Sequence, residues 1–223
     1  MEKGKINEPK HISEILNSGS FQKSVKPSKR PCEFCKSEVD DFDWVTYHGR
    51  EWLTCKKCGA ELREKQVIEE KEARVAAVVP PLFINARLES LPKGIIEVFK
   101  ALPQGRGIYL WGKPGVGKSH AMCAFARFLV EKGESVKRIN WDYLCLLLRG
   151  TFRDKSRLSE LDVLRPISSA KYLIIEDLLV ANYGKESDFS LRTLLVLLDE
   201  RLESCRATFF TSNKPLEEIY RCF

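Results

Sequence analysis

One octapeptide limits the fold of this chain more than any other feature. Gly112-Lys113-Pro114-Gly115-Val116-Gly117-Lys118-Ser119 fits the pattern Gly-x4-Gly-Lys-Ser/Thr. Its glycines let a loop take conformations that a side chain blocks, so successive backbone N–H groups converge on phosphate oxygens. A helix beginning near Lys118 adds its positive dipole end. The apolar run Ile108-Tyr109-Leu110-Trp111 precedes the loop and the apolar-rich stretch Ala121–Val130 follows it, giving the strand, loop and helix that the motif needs. The plain alternative is a Gly-rich turn before a helix. Gly112, Lys113, Pro114, Gly115, Val116, Gly117, Lys118, Ser119 and His120 are the expected nucleotide-binding residues. Lys118 would reach the β- and γ-phosphates, and the Ser119 hydroxyl would ligate Mg2+.

Such a loop needs a partner strand that ends in acids, and Tyr172-Leu173-Ile174-Ile175-Glu176-Asp177 supplies one. One acid can hold Mg2+ while its neighbour orients or deprotonates the attacking water. The usual order is Asp first. Here Glu176 stands first and Asp177 second, so the two roles are assigned jointly. A third strand, Thr208-Phe209-Phe210-Thr211-Ser212-Asn213, would bring the Asn213 amide beside the γ-phosphate. The expected catalytic set is Lys118, Glu176, Asp177 and Asn213.

From about Leu82 onward, short apolar strands alternate with amphipathic helices, the pattern of an α/β domain around a parallel sheet flanked by helices. Strands are expected at Gly107–Trp111, Ser135–Asn140, Lys171–Glu176 and Ala207–Ser212. Helices are expected at Lys93–Ala101, Lys118–Lys132, Asp142–Arg149, Arg157–Leu164, Phe189–Ser204 and Leu216–Cys222. Residues 60–78, rich in Glu, Lys, Arg and Ala, favour a connecting helix ended by Pro80-Pro81. A short helix at Ile12–Asn17 precedes a basic tether to Pro31.

Four of the eight cysteines form two Cys-x-x-Cys pairs, Cys32/Cys35 and Cys55/Cys58, separated by nineteen residues. Paired knuckles at this separation suit a tetrahedral Zn2+ held by four thiolates. Trp44–Tyr47 and Glu51–Thr54 flank His48-Gly49-Arg50 and read as a hairpin, so the module resembles a zinc ribbon. A module this small buries too little apolar area to fold without the metal. Redox chemistry is the rival use of such pairs. His48 is expected in the turn rather than on the metal. Cys123, Cys145, Cys205 and Cys222 lack metal spacing and are expected to pack on helices. The ribbon would display Trp44, Tyr47, Lys56 and Lys57 to a partner protein or nucleic acid.

The expected organisation is therefore a flexible basic segment (1–31), a zinc ribbon (32–58), a linker helix (59–79) and an α/β domain (80–223). No apolar stretch is long enough to span a membrane, and Met1–Lys10 has no apolar signal core, so a cytoplasmic location without membrane attachment is expected. The formal charge of +6 permits nucleic-acid contact without arguing for it. Arg149, Phe152, Arg153, Lys155 and Arg157 interleave positive charge with an aromatic ring, a combination that suits single-stranded nucleic acid, although a solvated loop has the same composition.

On these motifs the chain resembles the DnaC/DnaI-type replicative helicase loaders and the related IstB-like transposition helper ATPases of the AAA+ superfamily. The resemblance covers Pro80–Phe223. It rests on Pro80-Pro81-Leu82-Phe83, Ala86-Arg87-Leu88-Glu89, Gly112–Ser119, Glu176-Asp177, and Leu198-Asp199-Glu200-Arg201 leading into Thr211-Ser212-Asn213-Lys214-Pro215-Leu216. It implies a P-loop AAA+ fold, ATP with Mg2+, Asn213 as the sensor-1 residue, and Ala86–Leu91 beside the adenine. It further implies a DnaB-type hexameric helicase engaged through the amino-terminal region, loading on single-stranded DNA, and self-association through the ATPase domains when full length. In this family the arginine finger and sensor-2 arginine lie on a helix beyond the position of Phe223. The resemblance thus implies a C-terminally truncated chain that binds ATP and hydrolyses it poorly. Other readings are an IstB-like transposition helper, a RadA-like zinc-bearing recombination ATPase, and an adaptor holding ATP as a structural ligand.

Overall fold

The structure is a computed structural model that describes residues 29–153, 159–179 and 188–221, with Phe152 and Arg153 given by backbone alone. The helix expected at Ile12–Asn17, Lys155, Arg157 and Cys222 lie outside the described residues. The chain forms two compact units that divide between Gln66 and Val67.

In the amino-terminal unit, β1 (Arg30–Pro31) and β2 (Glu38–Val39) pair antiparallel on either side of the first cysteine pair. β3 (Phe42–Tyr47) and β4 (Arg50–Cys55) form the expected hairpin in full register from Phe42↔Cys55 to Tyr47↔Arg50. Its two-residue turn is His48-Gly49, at φ 50° and 73°. Two successive positive φ values make a type I′ turn, whose twist matches that of the strands. Helix α1 (Lys56–Ala76) then starts directly after Cys55, earlier than composition indicates. The reason is local: Cys58 N–H donates to Cys55 Sγ at 3.5 Å, so the sulfur does the work of an N-cap oxygen. The small core of this unit joins Cys32, Val45, Leu53, Thr54, Cys58 and Leu62.

The second unit is built on four parallel strands in the order β5 (Tyr109–Trp111), β8 (Ala207–Ser212), β7 (Tyr172–Glu176), β6 (Val136–Asn140). Around it stand α2 (Lys93–Lys100), α3 (Lys118–Glu131), α4 (Trp141–Arg153), α5 (Glu160–Ser168), α6 (Asp188–Glu203) and α7 (Leu216–Tyr220). A parallel sheet must be covered on both faces, and the period of two distributes its side chains accordingly. Ile174 and Phe209 join α3 residues such as Met122 and Phe125 in one core, while Leu173 and Ile175 join Trp141, Leu144, Leu194 and Leu197 in another. Phe125 stacks on Phe99 at 4.2 Å and meets Phe209 edge-on at 5.1 Å. This is the expected α/β, P-loop AAA+ architecture.

All four expected strands are present. β5 begins at Tyr109 rather than Gly107, and Gly107 passes so close to β8 that a Cβ there would sit 1.6 Å from the Thr208 carbonyl oxygen. α4 outruns its expected end at Arg149, and the Asn140 side chain fixes its start by accepting Tyr143 N–H at 3.1 Å. α5 begins later than expected, where Ser159 and Asp162 form a capping box, and it continues through Pro166. Arg201, fully buried in α6, ties these elements together. Its guanidinium donates to the carbonyls of Ser168 (2.8 Å), Ala170 (2.7 Å) and Ala207 (2.5 Å) and to Thr208 Oγ1 (2.8 Å). Cys123 and Cys145 are buried as expected, but Cys205 is exposed at the end of α6, with φ 49°. Among the described residues no helix is long and apolar enough to cross a membrane.

Candidate nucleotide-binding site and metal centre

The strand β5, the glycine loop and α3 follow one another as the motif requires. Gly115 and Gly117 adopt φ 83° and 93°, and Gly117 forms the N-cap of α3 in the left-handed region that a side chain disfavours. The first-turn N–H groups of α3 thus face a cavity of about 340 Å³, lined by Phe83, Pro114, Gly115, Gly117, Lys118, Ser119, His120, Asp177 and Asn213. That size lies in the range of small-ligand sites, about 300–1,000 Å³. Lys118 Nζ donates to the carbonyls of Gly112 (2.8 Å) and Lys113 (3.0 Å) and to Asn213 Oδ1 (3.0 Å). The ammonium is therefore poised over the loop, and Asn213 stands where the sequence puts it. Val116 is exposed at the tip of the loop and does not line the cavity.

The Thr-Ser-Asn end of β8 has a definite local function. Thr211 Oγ1 accepts Asp177 N–H at 3.1 Å, and Ser212 Oγ donates to the Leu178 carbonyl at 2.8 Å. Both side chains are buried and clamp the exit of β7, where Asp177 takes φ 54°. Asn140, at the end of β6, donates to Asp177 Oδ2 at 3.1 Å. Asp177 is thereby held at the cavity beside Lys118 and Asn213.

Glu176 is placed differently. It is buried, ion-paired through Oε2 with Arg138 of β6, and its Oε1 has no hydrogen-bond partner among the described residues. Burial raises its pKa, against the lowering effects of Arg138 and the nearby Ser119 hydroxyl. The two acids that the sequence leaves as an interchangeable pair are thus distinct: Asp177 lines the cavity, and Glu176 is buried, paired with Arg138 and near Ser119. An orphaned carboxylate oxygen next to the hydroxyl of a phosphate-loop serine fits Mg2+, directly or through water.

Of the segment expected beside adenine, Ala86, Leu88 and Leu91 are buried in the core cluster that includes α3. Phe83 is the residue of that region that lines the cavity, with its ring edge-on to His120 at 6.4 Å. Arg138, Asn140 and Thr211 were missed as site residues. Arg138 and Asn140 are polar residues in a short strand, and only the position of Asn140 after an apolar residue at a strand end offered a signal.

In the other unit, the sulfurs of Cys32, Cys35, Cys55 and Cys58 all lie within 4.8 Å of one another, with Cys35 and Cys55 at 3.9 Å. Four thiolates about 2.3 Å from a tetrahedral Zn2+ stand about 3.8 Å apart, so the donor set fits that ion. Cys32 ionises easily: burial opposes it, but the backbone N–H groups of Cys35, Cys55 and Phe34 prevail and bring it to about 6. Cys58 is pushed up to about 12, first by its contact with Cys55 and then by burial. Four crowded sulfurs cannot all carry charge without a cation between them. His48 stays in the hairpin turn against Tyr47, outside the cluster. Trp44 is exposed, Lys56 is paired with Asp41, and Arg50 stacks 4.2 Å from the Trp52 ring.

Of the basic stretch proposed for nucleic acid, Arg149 lies within α4 and donates to the buried Ser190 Oγ of α6 at 3.4 Å. Phe152 and Arg153 also belong to that helix rather than to a loop.

Residues 98–223 match the family model of the IstB-like ATP binding protein. The chain is 30% identical over 102 residues to the replicative helicase loader DnaC of Buchnera aphidicola (from Acyrthosiphon pisum), covering 46% of this chain and 40% of that protein. It is 28% identical over 131 residues to the replicative helicase loader DnaI of Bacillus subtilis, covering 57% of this chain and 40% of the relative. The matches thus span 40% of the length of these curated relatives. Among solved structures, a DnaC helicase loader aligns with TM-score 0.52 at 19% identity, covering 64% of this chain and 87% of that one. A DnaI structure aligns with TM-score 0.51 at 21% identity, covering 66% and 82%. These two likenesses confirm the fold. With the family model matched over more than half its length, the chain belongs to the IstB-like ATP-binding protein family.

Proposed function

We propose that this chain is an ATP-binding helicase loader. Its zinc-stabilised amino-terminal region engages a DnaB-type hexameric helicase, and its ATPase domain couples nucleotide state to loading on single-stranded DNA. The observation that carries the nucleotide reading is the convergence of Lys118, Asp177 and Asn213 on one cavity at the start of α3. The named DnaC and DnaI relatives support the loader reading.

In this reading Lys118 exchanges its bonds to the Gly112 and Lys113 carbonyls for bonds to phosphate oxygens, and the loop N–H groups hold the rest of the polyphosphate. Ser119 and Glu176 hold Mg2+, which supplies neutralisation of phosphate charge. Asp177, fixed by Asn140 and Thr211, accepts a hydrogen bond from the attacking water, and Asn213 orients that water beside the γ-phosphate. Phe83 closes the cavity on the base side. Self-association through the ATPase domains belongs to the same proposal, and so does single-strand contact near Arg149, Phe152, Arg153, Lys155 and Arg157.

The test is reconstitution with the DnaB-type helicase of the same cell. The full chain should co-purify with the helicase, and Lys118→Ala should keep that complex while losing the effect of ATP on helicase loading. The family match itself favours a second reading, the transposition helper. No helicase complex, together with ATP-dependent filaments on duplex DNA, would replace the first reading by the second.

A further inference from the structure

The proposed nucleotide site uses Glu176 but leaves its buried partner, Arg138, without a role. Arg138 on β6 stands in register with Ile174 on β7, so its guanidinium reaches two residues along the neighbouring strand to meet Glu176 Oε2. The pair is half satisfied: Glu176 Oε1 and Arg138 Nε are both buried without partners among the described residues. A buried ion pair with free valences is a net cost to folding. Two apolar side chains in this place would cost less, so the arrangement asks for another use of the free oxygen.

The neighbours of that oxygen suggest the use. Ser119, in the first turn of the phosphate-loop helix, is near enough to interact with this carboxylate, and Asp177 follows directly in the chain. Glutamate in the first acidic position, where aspartate is usual, has one more methylene. The extra reach lets one carboxylate take a guanidinium on one oxygen and offer the other toward Ser119. A fixed positive charge on that carboxylate both holds its orientation and opposes the approach of a dication.

We propose that Arg138 is a built-in counter-ion of Glu176: a positioning residue that stands in for the metal when none is bound and weakens the coupling of Mg2+ to nucleotide binding. This rests on the reading of the cavity as a Mg-nucleotide site. It also gives the inverted acid pair a meaning, since the longer acid serves the arginine and the metal together.

The experiment is calorimetric titration of the full chain with ATP in excess Mg2+ and again in EDTA, taking the ratio of the two affinities as the Mg2+ gain. Arg138→Gln removes the fixed charge, and its Mg2+ gain should exceed that of the wild type by about tenfold. Arg138→Lys keeps the charge and should stay near the wild type. Bound Mn2+, followed by its paramagnetic resonance, should tighten in Arg138→Gln alone, a change that a purely structural arginine would not produce. A gain in Arg138→Gln equal to or below that of the wild type overturns the proposal. Should that variant fail to fold, Arg138→Gln/Glu176→Gln replaces the ion pair by two amides. It should fall below the wild-type gain because the metal-facing carboxylate is gone, and an unchanged gain overturns the proposal. Absence of ATP binding by the wild type in both buffers would instead overturn the nucleotide reading beneath it.

Discussion

Lys118 and Arg201 are both cations in contact with several backbone carbonyls, yet they have opposite uses. Lys118 is borrowed by its carbonyls and faces a cavity, whereas Arg201 is enclosed and satisfied on all sides. Burial lowers the Arg201 pKa to about 10, so it still carries its charge at neutral pH. Arg201→Leu removes the side-chain donor to the Ala170 and Ala207 carbonyls, while the Ser168 carbonyl keeps Arg206, and should cost about 3 kcal/mol or more, read from urea unfolding. Gly107→Ala must part β5 from β8 at Thr208, and about 3 kcal/mol of destabilisation is expected there by the same measurement. Residue identity was legible in the sequence wherever a spacing rule exists. Lys118 and Ser119 announce themselves by their glycines, and the four cysteines by their pairing. Arg138 and Asn140 obey no such rule, because their partners are thirty-seven or thirty-eight residues away and only strand register brings them together. Near the segment that the resemblance sets beside adenine, Ala86 and Leu88 are core residues and Phe83 lines the cavity.

Elements were more legible than residues, since a parallel strand covered on both faces is a continuous apolar run and each helix repeats at its own period. Their ends were less so, because caps decide them. α1 starts early on the sulfur of Cys55, and α5 starts late on Ser159. The α5 cap depends on pH. The backbone N–H of Ser159 holds the Asp162 carboxyl below its ordinary range, so the cap's contribution is present above that range and is lost as pH falls through the folded pKa. Asp162→Asn should flatten the acid limb of the stability profile, measured by circular dichroism between neutral and acid pH. The cysteine module makes a sharper prediction. The protein should carry one zinc per chain by elemental analysis, and Cys55→Ser should lose it even though the serine oxygen can still accept Cys58 N–H at the start of α1. Structural zinc supplies about 10 kcal/mol or more in such small folds, so chelation should unfold this unit. ATP binding by the other unit should persist, as its cradle contains none of these cysteines.

At the scale of the molecule, the chain joins a unit built around a four-cysteine cluster to an ATP-binding α/β unit, each with its own buried residues. The family shared with IstB-like proteins is matched within the second of these, over residues 98–223. The division of labour proposed for a loader therefore predicts separable defects. Cysteine substitutions should abolish helicase co-purification and spare nucleotide binding, and Lys118→Ala should do the reverse. The central claim is narrower than either defect: the backbone between Gly112 and Ser119 wraps a polyphosphate. Calorimetric titration of the folded chain with Mg-ATP measures it most directly. One site per chain, with a dissociation constant below about 100 µM and at least about tenfold weaker in Lys118→Ala, is the predicted result. No heat from the folded wild type at millimolar nucleotide would contradict it.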